Sequence, residues 1–194
     1  VDGMVLASAN AASNGALLRD VAAQGIGLVM IDRDDHPQVR CHRVLTDDLK
    51  VGALATAHLI ARGRKAIAHI AGPAIAHAKR REEGYRETLR EAGIRIRPER
   101  IVPGGFMEAD GYRAMQTLLQ REPTLDAVFA VNDPAAIGAM KANWAAGLRV
   151  PDDIAVVGAG DVAYSDPIRV PLTTVRWSKR DLGTEIFGRR IDLP

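Results

Sequence analysis

The sequence holds one cysteine, Cys41, in 194 residues, so it closes no internal disulfide. That usage fits a reducing cytoplasm, the expected location. Aromatic residues are equally scarce, 4% against 47% apolar residues, so the core must be built from Ala, Val, Leu and Ile. Such a core suits helices packed on parallel strands better than an aromatic-rich β-sandwich. An excess of one charge is missing too: 26 basic and 24 acidic residues leave +2, without the footprint of a segment that contacts nucleic acid directly. No apolar run reaches the roughly 18 residues of a membrane-crossing helix, and no secretion signal opens the chain. Val1 already stands in a strand-like run, so the natural start is expected upstream of it.

The usual catalytic and metal patterns are absent as well. There is no G-x-S-x-G elbow, and Cys41 and His42 are neighbours on an expected strand, where side chains point to opposite faces. The five histidines lack H-E-x-x-H spacing, and His69 and His77 flank a loop without the partners of a metal cluster. No catalytic residue, metal ligand or cofactor is therefore expected. Arginines 80, 81, 86, 90, 95, 97 and 100 are interleaved with Glu82, Glu83, Glu87, Glu91 and Glu99, which reads as a solvated, salt-bridged helix face.

What is present is alternation. The runs GMVLAS, IGLVMID, CHRVLTDD, KAIAHIAG, IVPGGF, DAVFAVND, IAVVGAG and LTTVRW read as strands. Helical stretches separate most of them: 13–24, 48–61, 79–92, 108–121, one opened by Asp133 as cap with Pro134 at the first helical position, and one from about Asp181. Gly25, Gly63, Gly93 and Gly147 are the expected helix stops. This order predicts an α/β fold with parallel sheets, with a break near 62–65 where one series ends and another begins. Ligands of such sheets bind at the carboxyl ends of strands. That points to 7–10, 32–34, 72–81, 104–106, 132–133 and 158–161.

One motif invites a cofactor reading. Val156–Ala163, VVGAGDVA, contains G-x-G-x-x-A, the pattern of a dinucleotide-binding turn. That turn needs a helix directly after it to hold the pyrophosphate. Here Pro167 and Pro171 fall where the helix would run, and LTTVRW begins too soon to leave room for it. A nucleotide-dependent α/β enzyme stays a remote alternative.

The window VNDPAAIGAMKANWAAGLRVPDDIAVVGAGD…PLTTVRW resembles the effector-binding domain of the lactose-repressor and galactose-repressor family of bacterial transcription regulators. VDGMVLAS, ATAHLIARGRKAIAHIAGP, RREEGYRETLREAGI and GGFMEADGYRAMQTLLQ extend the resemblance over nearly the whole chain, in the right order. It implies two periplasmic-binding-protein-like subdomains: 1–64 with about 177–194, expected to be partial, and 65–176. It implies a small effector in the cleft between them (a sugar, sugar acid or phosphorylated sugar), a homodimer and no membrane. It implies operator DNA as partner only through an N-terminal helix-turn-helix that this sequence lacks. The sugar-binding component of a transporter shares the fold and is the alternative; GLRVPDDIAVVG…PLTTVRW is closer to the repressor branch.

The resemblance also implies site residues. Arg81, in R-x-x-G-Y, would reach toward effector oxygens; from the residues alone it is one more arginine of a solvated face. Asn132, which can donate and accept, would contact the effector, with Asp133 mainly a helix cap. Phe106, after Gly104 and Gly105, would stack on a sugar or base ring. Ser8, Asn10, Asp32 and Arg33 are candidates by position at strand ends. The family has an aspartate where this chain has Gly160, with Asp161 one position later. Either Asp161 takes over by a backbone shift, or the ligand has fewer hydroxyls. With Arg81, and Arg33, facing a site short of one acid, a negatively charged effector is a further expectation.

Overall fold

Among the described residues, eight strands and six helices take the places that the apolar periodicity predicts. The computed structural model describes residues 3–7, 11–32, 38–162 and 170–188. In chain order the elements are β1 (Gly3–Leu6), α1 (Ala11–Ala23), β2 (Gly27–Ile31), β3 (His42–Val44), α2 (Asp48–Ala61), β4 (Ile67–Ala71), α3 (Ala76–Glu91), β5 (Ile101–Pro103), α4 (Glu108–Arg121), β6 (Ala127–Ala130), α5 (Asp133–Ala145), β7 (Ala155–Ala159), β8 (Thr173–Val175) and α6 (Lys179–Gly188). Gly25, Gly63, Gly93 and Gly147 all carry the positive φ that a helix stop demands, between 68° and 79°.

The chain divides into two units, 1–47 with 177–194, and 48–176. The division falls one helix earlier than the break expected near 62–65. The reason lies in α2, which packs on α3 of the second unit through a pair of glycines. A Cβ at Gly52 would overlap the carbonyl oxygen of Arg81, and one at Gly84 would overlap that of Leu49. Such an approach is closed to any other residue, and periodicity does not reveal it. α3 also begins at Ala76, three residues before its charged pattern, because Lys79 N–H donates to the Ile75 carbonyl at 3.0 Å.

In the first unit β1, β2 and β3 form a parallel sheet in that order. Its central strand buries Leu28, Val29 and Met30, and Leu18 of α1 closes a small core on Leu28 and Met30.

The second unit carries five parallel strands in the order β5-β4-β6-β7-β8. The chain goes from β4 outward to β5 and then returns past β4 to β6. The carboxyl ends of β4 and β6 therefore flank a topological switch point, where open parallel sheets bind ligands. Ala68, Ile70, Val128 and Ala130 face the cluster formed with Ala114, Met115, Ala135 and Met140 of α4 and α5. The alternate residues face α3: His69 stacks between Tyr85 and Phe129 at 5.3 and 4.7 Å. α4 and α5 repeat the glycine device, Gly111 against the Ala135 carbonyl and Gly138 against that of Glu108.

His69 is fully buried, and its Nδ1–H donates to the Phe129 carbonyl at 2.9 Å, while Nε2 has no partner among the described residues. A second ring proton would have no acceptor. Burial pulls the imidazole down to about 4, against the opposing pull of the Phe129 carbonyl. Below the ordinary value of 6.5 the unfolded chain takes up a proton that the fold refuses, so stability falls as pH drops from 6.5 through about 4. The full loss is about 3 kcal/mol. Urea unfolding midpoints of the wild type and His69→Gln should diverge in slope across that window; parallel profiles would refute this account.

The glycine crossings give a second expectation. Gly84→Ala should cost about 1–3 kcal/mol by overpacking. Gly183→Ala, whose new methyl meets nothing within 4 Å, should be neutral or slightly stabilising in the same unfolding assay. Equal midpoints for the two variants would count against the packing argument.

Candidate functional site

At the carboxyl edge of the second unit's sheet, loops after four adjacent strands are tied to one another. Gly72 opens the loop after β4, and a Cβ there would lie 3.0 Å from Val131 Cγ2 and 3.1 Å from Phe106 Cε1. Phe106, on the β5–α4 loop, is half-buried against the core and stacks on His77 with centroids 5.3 Å apart and planes 13° from parallel. Asn132, after β6, donates from Nδ2 to the Phe106 carbonyl at 2.9 Å. Asp133 accepts from Val162 N–H at 3.0 Å and from the Thr174 hydroxyl, holding the loop after β7 against β8.

The helix cap is Asn132, where Asp133 was expected. The helix begins at Asp133, so the extended residue before it, Asn132, is the cap, and its Oδ1 accepts from Ala135 N–H at 3.0 Å. The capping chemistry of Asn and Asp is too alike for sequence to rank them. Asp133 is buried instead, and its carboxylate faces the backbone of the G-x-G stretch. A Cβ at Gly158 would strike Asp133 Oδ1, so that glycine makes room for a carboxylate.

Gly160 has φ 136°, and a Cβ on it would lie 3.3 Å from Asp133 Oδ2. An aspartate there would be strained and pressed toward another carboxylate. Asp161 follows in the left-handed region, with φ 48°, and its backbone N–H donates to Thr174 Oγ1 at 3.3 Å. Its carboxylate pairs with Arg176 Nε.

Arg81 lies 5% exposed, so the solvated-face reading does not hold for it. Its Nε donates to Asp48 Oδ1 at 2.8 Å and Nη1 to the Val131 carbonyl at 2.8 Å, linking α3, the start of α2 and the end of β6. Arg100 departs from the solvated face likewise: it is 8% exposed and pairs with Glu122 at 2.9 Å, while Arg86 keeps the expected pairing, with Glu82. In the first unit Asp32 is exposed at the end of β2 with φ 56°, and accepts from the Thr46 hydroxyl at 3.5 Å. Ser8, Asn10 and Arg33 lie outside the described residues.

His77 is the member of this wall that sequence reasoning passed over. Its signal was there, a histidine a few residues after the G-P of a strand end, but only the early start of α3 puts it over Phe106. An open groove of about 420 Å³ lies against β5 and α3, lined by Gly72, Lys79, Glu82, Ile101 and Pro103 among others; neither Phe106 nor Asn132 borders it. Among the described residues no group of three or more His, Cys, Asp or Glu could hold a metal, and no helix is long and apolar enough to cross a membrane.

The Arg81–Asp48 pair sets an expectation that separates a structural from a purely ligand-binding part. Arg81→Met leaves a buried carboxylate and should cost about 3 kcal/mol or more, and Asp48→Leu with Arg81→Met should cost less than the two single changes added together. Urea unfolding measures this. An Arg81→Met protein of unchanged stability would mean that the side chain is kept for the ligand alone.

Comparison with known proteins places this geometry among regulators. The family described as periplasmic binding protein-like domain matches residues 56–193. The chain is 37% identical over 166 residues to the HTH-type transcriptional repressor PurR of Pasteurella multocida, covering 84% of the chain and 50% of that protein. It is 36% identical over 157 residues to the HTH-type transcriptional regulator CelR of Thermobifida fusca, covering 80% and 46%. Among solved structures it resembles a sugar-binding transcriptional regulator of the LacI family from Escherichia coli complexed with phosphate, with TM-score 0.84 and 26% identity over 96% of this chain and 67% of that one. It resembles a transcriptional regulator CelR–cellobiose complex, with TM-score 0.83 and 33% identity over 97% and 60%. The chain spans about half the length of the curated relatives it matches.

Proposed function

From the premise that this chain belongs to the LacI/GalR family and forms its periplasmic-binding-protein-like effector domain, we propose that it binds a small hydroxylated ring, a sugar or a near relative of one. In that reading binding adjusts the grip of a transcription regulator on operator DNA. The observation that carries it is the linking of four strand-end loops, Phe106 and Asn132 among their residues, at the carboxyl edge of the second unit's sheet. Asn132, Phe106 and Asp161 supply hydrogen-bonding and ring surface on that wall, and Gly160 keeps it open. Asp32, Ser8 and Arg33 remain the candidates on the first unit.

The proposed ligand is neutral, which departs from the anionic effector expected from the sequence. Arg81 is matched by Asp48 inside the fold, so its charge is already answered. The function is binding without catalysis, in a cytoplasmic, dimeric regulator whose DNA contact is made by a helix-turn-helix outside these residues. Effector and operator binding are coupled by about 1–3 kcal/mol, the usual range for such switches.

Calorimetric titration with matched neutral, acidic and phosphorylated sugars tests the proposal. A neutral sugar should bind, and Phe106→Ala should weaken it by about 3-fold, the value of a partial contact with the ring. Binding confined to the acidic or phosphorylated sugars would sink the neutral reading, and a silent Phe106→Ala would sink the site.

A further inference from the structure

The ring that the wall offers already has an occupant. His77 lies over Phe106 with centroids 5.3 Å apart and planes within 13°, an offset parallel stack. Phe106 is held from several sides. Its carbonyl accepts from Asn132 Nδ2 at 2.9 Å, its edge abuts the backbone at Gly72, and it packs against the buried cluster that includes Ile70, Ala78 and Val131. His77 covers one face of this ring.

His77 arrives there through the local backbone. Ile75 N–H donates to the Pro73 carbonyl at 2.7 Å, a tight turn that lets α3 begin at Ala76. The first turn of the helix then carries residue 77 over the β5–α4 loop. Gly72 lets the two loops come this close, since a side chain at that position would meet both Phe106 and Val131.

We propose that His77 is a specificity-determining residue: it covers the stacking face of Phe106 and so sets this site against flat aromatic ligands. The proposal rests on the reading of Phe106 as the ligand-facing ring. A flat base draws much of its affinity from ring overlap, so it must first displace the imidazole and forfeit a stack that already exists. A pyranose draws its affinity from hydroxyls around its rim, and these can reach the polar groups of the wall with little overlap on Phe106. Covering the ring therefore penalises the base more than the sugar, which is selectivity by exclusion.

The test is calorimetric titration of the purified protein, wild type, His77→Ala and Phe106→Ala, with D-glucose, D-galactose, adenine and guanine. Removing the imidazole should raise the affinity for a base by about 3- to 10-fold, the worth of one aromatic stack, and move pyranose affinity by less than about 3-fold. The predicted change is a gain, which a damaged fold would not produce. Weaker binding of both classes by His77→Ala would show residue 77 to be a direct contact and overturn the proposal, and so would unchanged binding. Where Phe106→Ala alters the titrations but His77→Ala does not, only the exclusion fails. Where Phe106→Ala is silent in every titration, the site assignment itself fails.

Discussion

Much of the second unit turns on one residue used twice. The Arg81 carbonyl is pressed against Gly52, fixing how closely α3 crosses α2, while its guanidinium grips Asp48 and the Val131 carbonyl. Backbone and side chain thus bind the same two helices and the end of β6 in one place. A buried ion pair is a poor source of net stability, because desolvation offsets most of its attraction. Its use here is registration. The guanidinium fork satisfies one carboxylate and one carbonyl in fixed directions, which sets where α3 starts relative to the strand ends. The positions of Gly72, His77 and Asn132 follow from that setting.

The strands and most helix limits were readable because each rests on a local signal: β-like apolar runs, a glycine stop, a proline at the first helical position. What escaped depended on contacts between distant residues. Nothing local separates Arg81 from Arg80 or Arg86, and only the α2–α3 crossing turns one of the three inward. The same crossing draws α2 into the second unit and moves the division from 62–65 to 47/48. Asn132 and Asp133 were both recognised at a strand end. The cap was expected at Asp133 and falls on Asn132, because the choice depends on which of the two still has extended backbone, a matter of one residue in register.

The glycine-rich end of β7 shows how a lost side chain is absorbed by its surroundings. With glycine at 160 the backbone takes a conformation that other residues resist, and Asp161 turns into the left-handed region beyond it. Its carboxylate pairs with Arg176, the residue directly after β8. Beneath them Asp133 supplies the acceptors that the loop backbone and Thr174 need. The G-x-G pattern that suggested a nucleotide turn answers instead to a carboxylate from α5, for which Gly158 leaves the space.

Charge has little freedom to choose the ligand on this wall. Arg81 answers Asp48, Arg176 answers Asp161, and Asp133 is held by two donors. The positive ends of α4 and α5 at the same edge are met by side chains of their own, Asp110 accepting from Met107 N–H and Asn132 from Ala135 N–H. Recruiting Arg81 to a charged ligand would first require parting a buried pair, at a cost of about 3–5 kcal/mol, which only a strong compensating contact could offset. The aromatic surface at Phe106 carries no charge to re-pair, and Gly160 brings no side chain of its own to the wall. Discrimination on this wall therefore falls to ring shape and to the placement of hydroxyls, the two properties that can be tuned without disturbing the joint at Arg81.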